Sequence, residues 1–170
     1  QSDDLLSPSP NKLRVSNYPN AMEVEPNDNR AQSTIVKAPL PIAFNGIINK
    51  DGDHDWFKFT AKKGQRFIFR AHAKSISSPL DPVVNLFGPD NKQITANDDA
   101  DNKQDSKIDF TAAVDGEFTI RIRDHLGKGG DNYIYRIESE PVSPSLALSI
   151  PYFGRADYQS RQMIYVAKGN

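Results

Sequence analysis

The sequence predicts an all-β protein, an antiparallel β-sandwich with jelly-roll-like connections. Three observations carry this expectation. Apolar and polar residues alternate over several short segments, the period of strands with one buried and one wet face. Clusters of turn residues separate those segments: DGD (51–53), KKG (62–64), GPDNK (88–92), VDG (114–116) and LGKGGD (126–131). Only AQSTIVKA (31–38) could hold a helical turn. Several short strands punctuated in this way indicate a sandwich or jelly roll.

Residues 1–19, rich in Ser, Pro, Asn and Asp, read as an N-terminal linker in which LRVS (13–16) could supply an edge strand. A β-sandwich is expected over 20–140. In GIINKDGDHDWFKFTA the alternation puts Phe57 and Phe59 inward, with Trp56, Lys58 and Thr60 on the other face. QRFIFRAHA places Phe67, Phe69, Ala71 and Ala73 inward and Ile68, Arg70 and His72 opposite. KIDFTAA turns Ile108, Phe110 and Ala112 inward. EFTIRIRD alternates Phe118, Ile120 and Ile122 with Thr119, Arg121 and Arg123, and NYIYRIES repeats the pattern through Tyr133, Tyr135 and Ile137. After Glu140, PVSPS looks like a hinge. LALSIPYF and QMIYVAKGN then read as two more strands, so 141–170 is expected to be a C-terminal extension or the start of a following module.

Composition narrows the function classes. The 170 residues suffice for one domain with flanking pieces, and the net charge of -1 points to neither nucleic acid nor an anionic membrane. No apolar run approaches the roughly 18 residues that a membrane helix needs, so membrane insertion is not expected. Cysteine is absent, which removes thiol catalysis, disulfides and thiolate metal sites, and fits a secreted bacterial protein. No signal peptide is visible; a chain opening on QSDD is expected to be a processed product or a piece of a longer protein.

The densest chemistry lies in EVEPNDN (23–29). Side chains two apart in an extended segment share a face, so Glu23, Glu25 and Asn27 point the same way, with Asp28 beside them. Pro26 keeps Glu25 out of the helical region. A second set, Asp51, Asp53 and Asp55, repeats the spacing in the loop feeding WFKF. Like charges on one face repel unless a cation lies between them, and calcium takes six to eight oxygen ligands. The residues leave two readings open: a joint cation site, or a solvated linker and turn. The acidic run NDDADNKQD (97–105) reads as a solvated loop whose Asp98 and Asp99 could reach the same cation if it folds back. DGDHD is not an EF-hand, because Trp56 stands where the glycine belongs and Lys62 where the glutamate belongs.

EVEPNDNRAQST, GIINKDGDHDWFKFTAKKGQ, LDPVVNLFGPDNKQITANDD, VDGEFTIRIRD and NYIYRIE, in that order over about residues 20–140, resemble the bacterial pre-peptidase C-terminal domain. The family accompanies secreted peptidases and is similar to the collagen-binding domains of bacterial collagenases. The resemblance implies a jelly-roll-like sandwich and, where the acidic motif is kept, calcium (Ca2+). It implies ligands at Glu23, Glu25, Asn27 and Asp28, ligands among Asp51, Asp53 and Asp55, and a contributing hydroxyl at Tyr133. Collagen binding does not carry over, because no matching aromatic surface is visible; Trp56, Tyr18, Tyr152 and Tyr158 are candidates for some recognition surface or for strand-end packing.

Three functions follow. The leading expectation is a non-catalytic accessory module of a larger secreted, periplasmic or cell-surface bacterial protein. It would be monomeric, partnered by the neighbouring domains of its parent, with calcium ordering its N-terminal junction. The alternative is a carbohydrate- or matrix-protein-binding module acting through a basic stripe of Arg70, His72, Arg121, Arg123 and Arg136. A hydrolase would rest on the neighbours Asp124 and His125. Yet no G-x-S-x-G elbow, H-E-x-x-H helix or phosphate loop is present, and adjacent strand residues rarely face one another. The expectation is therefore no enzymatic activity.

Overall fold

Two five-stranded sheets face each other in a computed structural model that describes residues 12–101 and 104–142. The first sheet has the order β1 (Asn20–Met22), β3 (Ala43–Ile47), β10 (Ile134–Pro141), β5 (Arg66–His72), β8 (Lys107–Thr111). The second has the order β2 (Thr34–Ile35), β4 (Asp55–Ala61), β9 (Gly116–Asp124), β6 (Pro82–Phe87), β7 (Gln93–Asn97). Neighbours pair antiparallel except at one edge of each sheet, where β1 runs parallel to β3 and β2 parallel to β4. The chain is thus the expected all-β sandwich, with each sheet mixed rather than purely antiparallel.

Alternation decides which face each strand buries. Phe57 and Phe59 on β4, Phe67 and Phe69 on β5, Ile108 and Phe110 on β8, and Phe118, Ile120 and Ile122 on β9 all point into the core. Six fully buried phenylalanines, Phe44, Phe57, Phe59, Phe69, Phe110 and Phe118, pack through the middle, with Phe110–Phe118 edge-on at a centroid distance of 5.1 Å and Phe44–Phe57 edge-on at 5.2 Å. Such pairs add about 0.5–1.5 kcal/mol beyond area burial.

Two local expectations shift. LRVS forms no strand, and residues 12–18 carry none; pairing starts after Pro19, whose carbonyl accepts the Ala43 amide at 2.8 Å. Arg14 instead leaves the segment sideways to Glu138 on β10, at 2.5 Å. The helical turn falls at Arg30–Gln32, capped by Asn29, whose Oδ1 accepts from the Ala31 and Gln32 amides. A second single turn spans Lys74–Ile76. The strands expected in 146–153 and 162–170, with Tyr152 and Tyr158, lie outside the described residues.

Candidate metal centre

EVEPNDN crosses the end of the sandwich from one sheet to the other. The Glu23 amide donates to the Asn45 carbonyl of β3 (2.9 Å), Val24 donates to Thr34 Oγ1 (2.9 Å), and the Asn27 carbonyl accepts from Trp56 of β4 (3.2 Å). Pinned at both ends, the segment turns its side chains onto the start of β4. There Glu25, Asp53 and Asp55 each place a carboxylate oxygen within 4.8 Å of the others. Asp53 and Asp55 are buried, at 1% and 0% exposure, whereas Glu25 is exposed. The centre therefore has a dry floor and an open side.

Around these three the polar contacts are short. Tyr135 Oη lies 2.6 Å from Asp55 Oδ2 and 3.2 Å from Glu23 Oε2. Glu23 Oε1 accepts the Ile47 amide at 2.8 Å. Asn49 donates its side-chain amide to Glu25 Oε1 and its backbone amide to Asp53 Oδ2, both at 2.7 Å. Gly46 makes room for this, since a Cβ there would collide with the Glu23 carboxylate and the Tyr135 hydroxyl. The Asn27 side chain is fully buried. With its nitrogen turned inward it donates to Asp55 Oδ1 and Glu25 Oε2, each at 3.1 Å; with its oxygen there, oxygen faces only oxygen.

Electrostatics follow from the burial. Burial foremost, then the hydrogen bond shared with Glu23, pushes the Asp55 carboxyl up to about 9, against the opposing pull of Tyr135. Burial and the contact with Asp28 push Asp53 up to about 6. Asp28 moves the other way, held below the usual carboxylate range by its hydrogen bond with Asp53 and by Lys50, 3.2 Å away. Burial, with Asp55 and Glu23 nearby, pushes Tyr135 well above its ordinary value. Buried oxygens that resist ionisation beside other carboxylates, closed by an amide that can present oxygen, fit a hard cation. Glu25, Asp53, Asp55 and Asn27 would hold it; Glu23, Asp28 and Tyr135 stand next to them.

The family model of the bacterial pre-peptidase C-terminal domain matches residues 53–124. Over those residues the chain is similar to the pre-peptidase C-terminal domain. The match takes in β4 to β9, less than half of the chain, and begins at the centre's own Asp53. A probable subtilase-type serine protease of Deinococcus radiodurans is 33% identical over 99 residues, which is 58% of this chain and 14% of that protein. The chain therefore spans only a small part of that relative. Two solved structures are similar at low identity. The pre-peptidase C-terminal domain of a Bacillus anthracis collagenase is 11% identical with a TM-score of 0.49, over 66% of this chain and all of that one. A periplasmic inhibitor of g-type lysozyme from Aeromonas hydrophila is 14% identical with a TM-score of 0.49, over 72% of this chain and 99% of that one.

Several residues expected at the site from the sequence sit elsewhere. Asp51 turns away to Lys128 Nζ (2.9 Å) and the Gly129 amide (3.1 Å). The two-residue alternation stops before Asp51 because Gly52, at φ +80, reverses the chain. Tyr133 precedes β10 and packs against Gly130 and the core edge; Tyr135 is the tyrosine that reaches the carboxylates. Asp98 lies 3.7 Å from His125, and neither it nor Asp99 joins the group around Glu25. Sequence reasoning passed over Tyr135 and Asn49. Tyr135 was detectable as a hydroxyl on an inward strand position, which needs a polar partner when buried; Asn49 carried no signal.

The basic stripe does not exist as one surface. Arg70, His72 and Arg136 belong to the first sheet, Arg121 and Arg123 to the second. Residues on neighbouring segments of sequence went to opposite layers of the sandwich. His72, expected to be exposed, is 7% exposed, with Nε2 3.6 Å from the buried Glu138 carboxylate and Nδ1 3.3 Å from Ser75 Oγ. Arg136 is tied to Glu138 and Arg70 to Glu140. Among the described residues no helix is long and apolar enough to cross a membrane, which says nothing of a β-barrel.

Proposed function

We propose that the chain is a non-catalytic accessory module of a larger secreted, periplasmic or cell-surface bacterial protein, and that calcium orders its N-terminal junction. The observation that carries the calcium reading is the meeting of Glu25 from the junction with Asp53 and Asp55 from the sandwich, closed by the buried Asn27. A cation there would neutralise carboxylates that burial otherwise keeps protonated, and would tie the segment at 23–29 to β4. Binding only the folded form, it would stabilise the module by mass action.

The accessory reading is supported by the family match and by the small share that the chain has of the protease relative. It is supported too by the fate of the Asp124–His125 pair. Asp124 uses its carboxylate to accept the backbone amides of Asp81, Leu126 and Lys128, and so shapes a turn rather than orienting an imidazole.

Thermal unfolding in excess chelator, in millimolar calcium and in millimolar magnesium tests the reading. The expected result is a calcium-specific rise of several degrees that Glu25→Ala abolishes. Equal unfolding temperatures in all three would overturn it.

A further inference from the structure

The two outer faces of the sandwich treat their arginines differently. On the first sheet each is matched to a carboxylate: Arg14 and Arg136 to Glu138, Arg66 to Asp109, and Arg70 to Glu140 and Asp101. On the second sheet Arg30, Arg121 and Arg123 have no carboxylate at ion-pair distance among the described residues. Arg30 donates to Thr119 Oγ1 and the Asn91 carbonyl, Arg121 to Asn85 Oδ1, and Arg123 to the carbonyls of Asp124 and His125. The nearby acids are already engaged, Asp90 with Lys92 and Glu117 with Lys58.

These guanidiniums are also held in place. Trp56, Arg121 and Asn85 stand in one row across β4, β9 and β6. Trp56 and Phe87 lie against each other with their rings tilted by 31° and centroids 5.1 Å apart. Arg30 lies 4.6 Å over Phe87, and Arg121 5.4 Å over Trp56. Burial first, and then the neighbouring Arg123, holds Arg121 below its ordinary value, as expected of a cation without a counter-ion. Cations fixed over aromatic rings lose little freedom on meeting an anion, and a guanidinium matches a carboxylate bidentately.

We propose that the outer face of the second sheet, centred on Arg30, Trp56, Arg121 and Arg123, docks an extended acidic polypeptide segment of a partner protein. Charge complementarity calls for an anion. The arginines cover the rings, which removes the bare aromatic plate that a sugar would stack on. Pitch favours a polypeptide: Arg121 and Arg123 are two apart on β9, hence about 7 Å apart, the spacing of alternate side chains on another extended strand.

Trp56 is the only tryptophan, so its fluorescence reads this face directly. The probe is a ten-residue peptide alternating Glu and Thr, titrated at low salt with calcium held constant, beside the Lys–Thr peptide, polygalacturonate and inorganic phosphate. The expected result is saturable binding of the Glu–Thr peptide alone. It should weaken at least tenfold in Arg123→Gln, which leaves the Trp56–Arg121 contact intact, and remain unchanged in Arg66→Gln on the opposite face. Absence of saturation, equal weakening by Arg66→Gln, or tighter binding of polygalacturonate or phosphate would overturn the proposal.

Discussion

Asp55 shows how one position can serve two opposed demands. It continues the inward alternation of Phe57 and Phe59, so the period that builds the core also buries a carboxyl. Its folded value of about 9 lies above the ordinary aspartate value of 3.8, so burying it contributes stability only at low pH, and that contribution is lost as pH rises through about 9. At pH 7 and without a cation, Asp55→Asn should therefore raise the unfolding temperature, while removing the response to calcium. Unfolding of the variant with and without chelator checks both halves; a variant that keeps the calcium response would exclude Asp55 as a ligand. Tyr135→Phe removes the hydroxyl between Glu23 and Asp55 and should cost about 1–3 kcal/mol in chelator, measured by urea unfolding. Glu138 has the opposite sign. Burial alone would raise its value, but Arg14 and Arg136 bring it down to about 2, from the ordinary glutamate value of 4.5. Its stabilisation is present above pH 4.5 and fades as pH falls toward 2, so Glu138→Gln should flatten the acid limb of the stability profile.

At the scale of elements, the short edge strands are where pattern gave way to pairing. β1 and β2 have 3 and 2 residues, too few to show a period, and both run parallel to their partners. Their position follows from hydrogen bonds offered by β3 and β4, which no local signal in NAM or TI records. The segment between them, carrying EVEPNDN, is held by the Asn45 and Thr34 contacts and by the Asn27 carbonyl, with little apolar surface of its own. Such a segment opens locally more readily than the core strands. Calcium should therefore slow protease cleavage around residues 15–30 relative to chelator while leaving cleavage within β4 and β9 unchanged. Equal cleavage rates in the two conditions would count against a metal at this junction.

Over the described residues the molecule is a sandwich whose phenylalanine core and titratable carboxylates contribute to stability separately. Phe57→Ala or Phe59→Ala should cost about 3–5 kcal/mol whether or not calcium is present, because the loss is of packing between sheets. The calcium shift itself should grow with pH from about 5 upward, since Asp53 and Asp55, raised to about 6 and about 9, bind the metal only when deprotonated. A shift independent of pH would mean that other groups bind the ion. The sequence by itself determined the sandwich, the inward faces of β4, β5, β8 and β9, and the crowding of oxygens in EVEPNDN, because strand period and turn chemistry are local properties. Whether Asp53 and Asp55 lie beside that segment was left open by the residues and is decided by the fold. Tertiary structure decided that Asp51 leaves with Lys128, that Tyr135 rather than Tyr133 meets the carboxylates, and that Arg70 and Arg121 stand on opposite faces. Each of these depends on which strands become neighbours, and that choice is made by hydrogen bonding and burial between segments far apart in the chain.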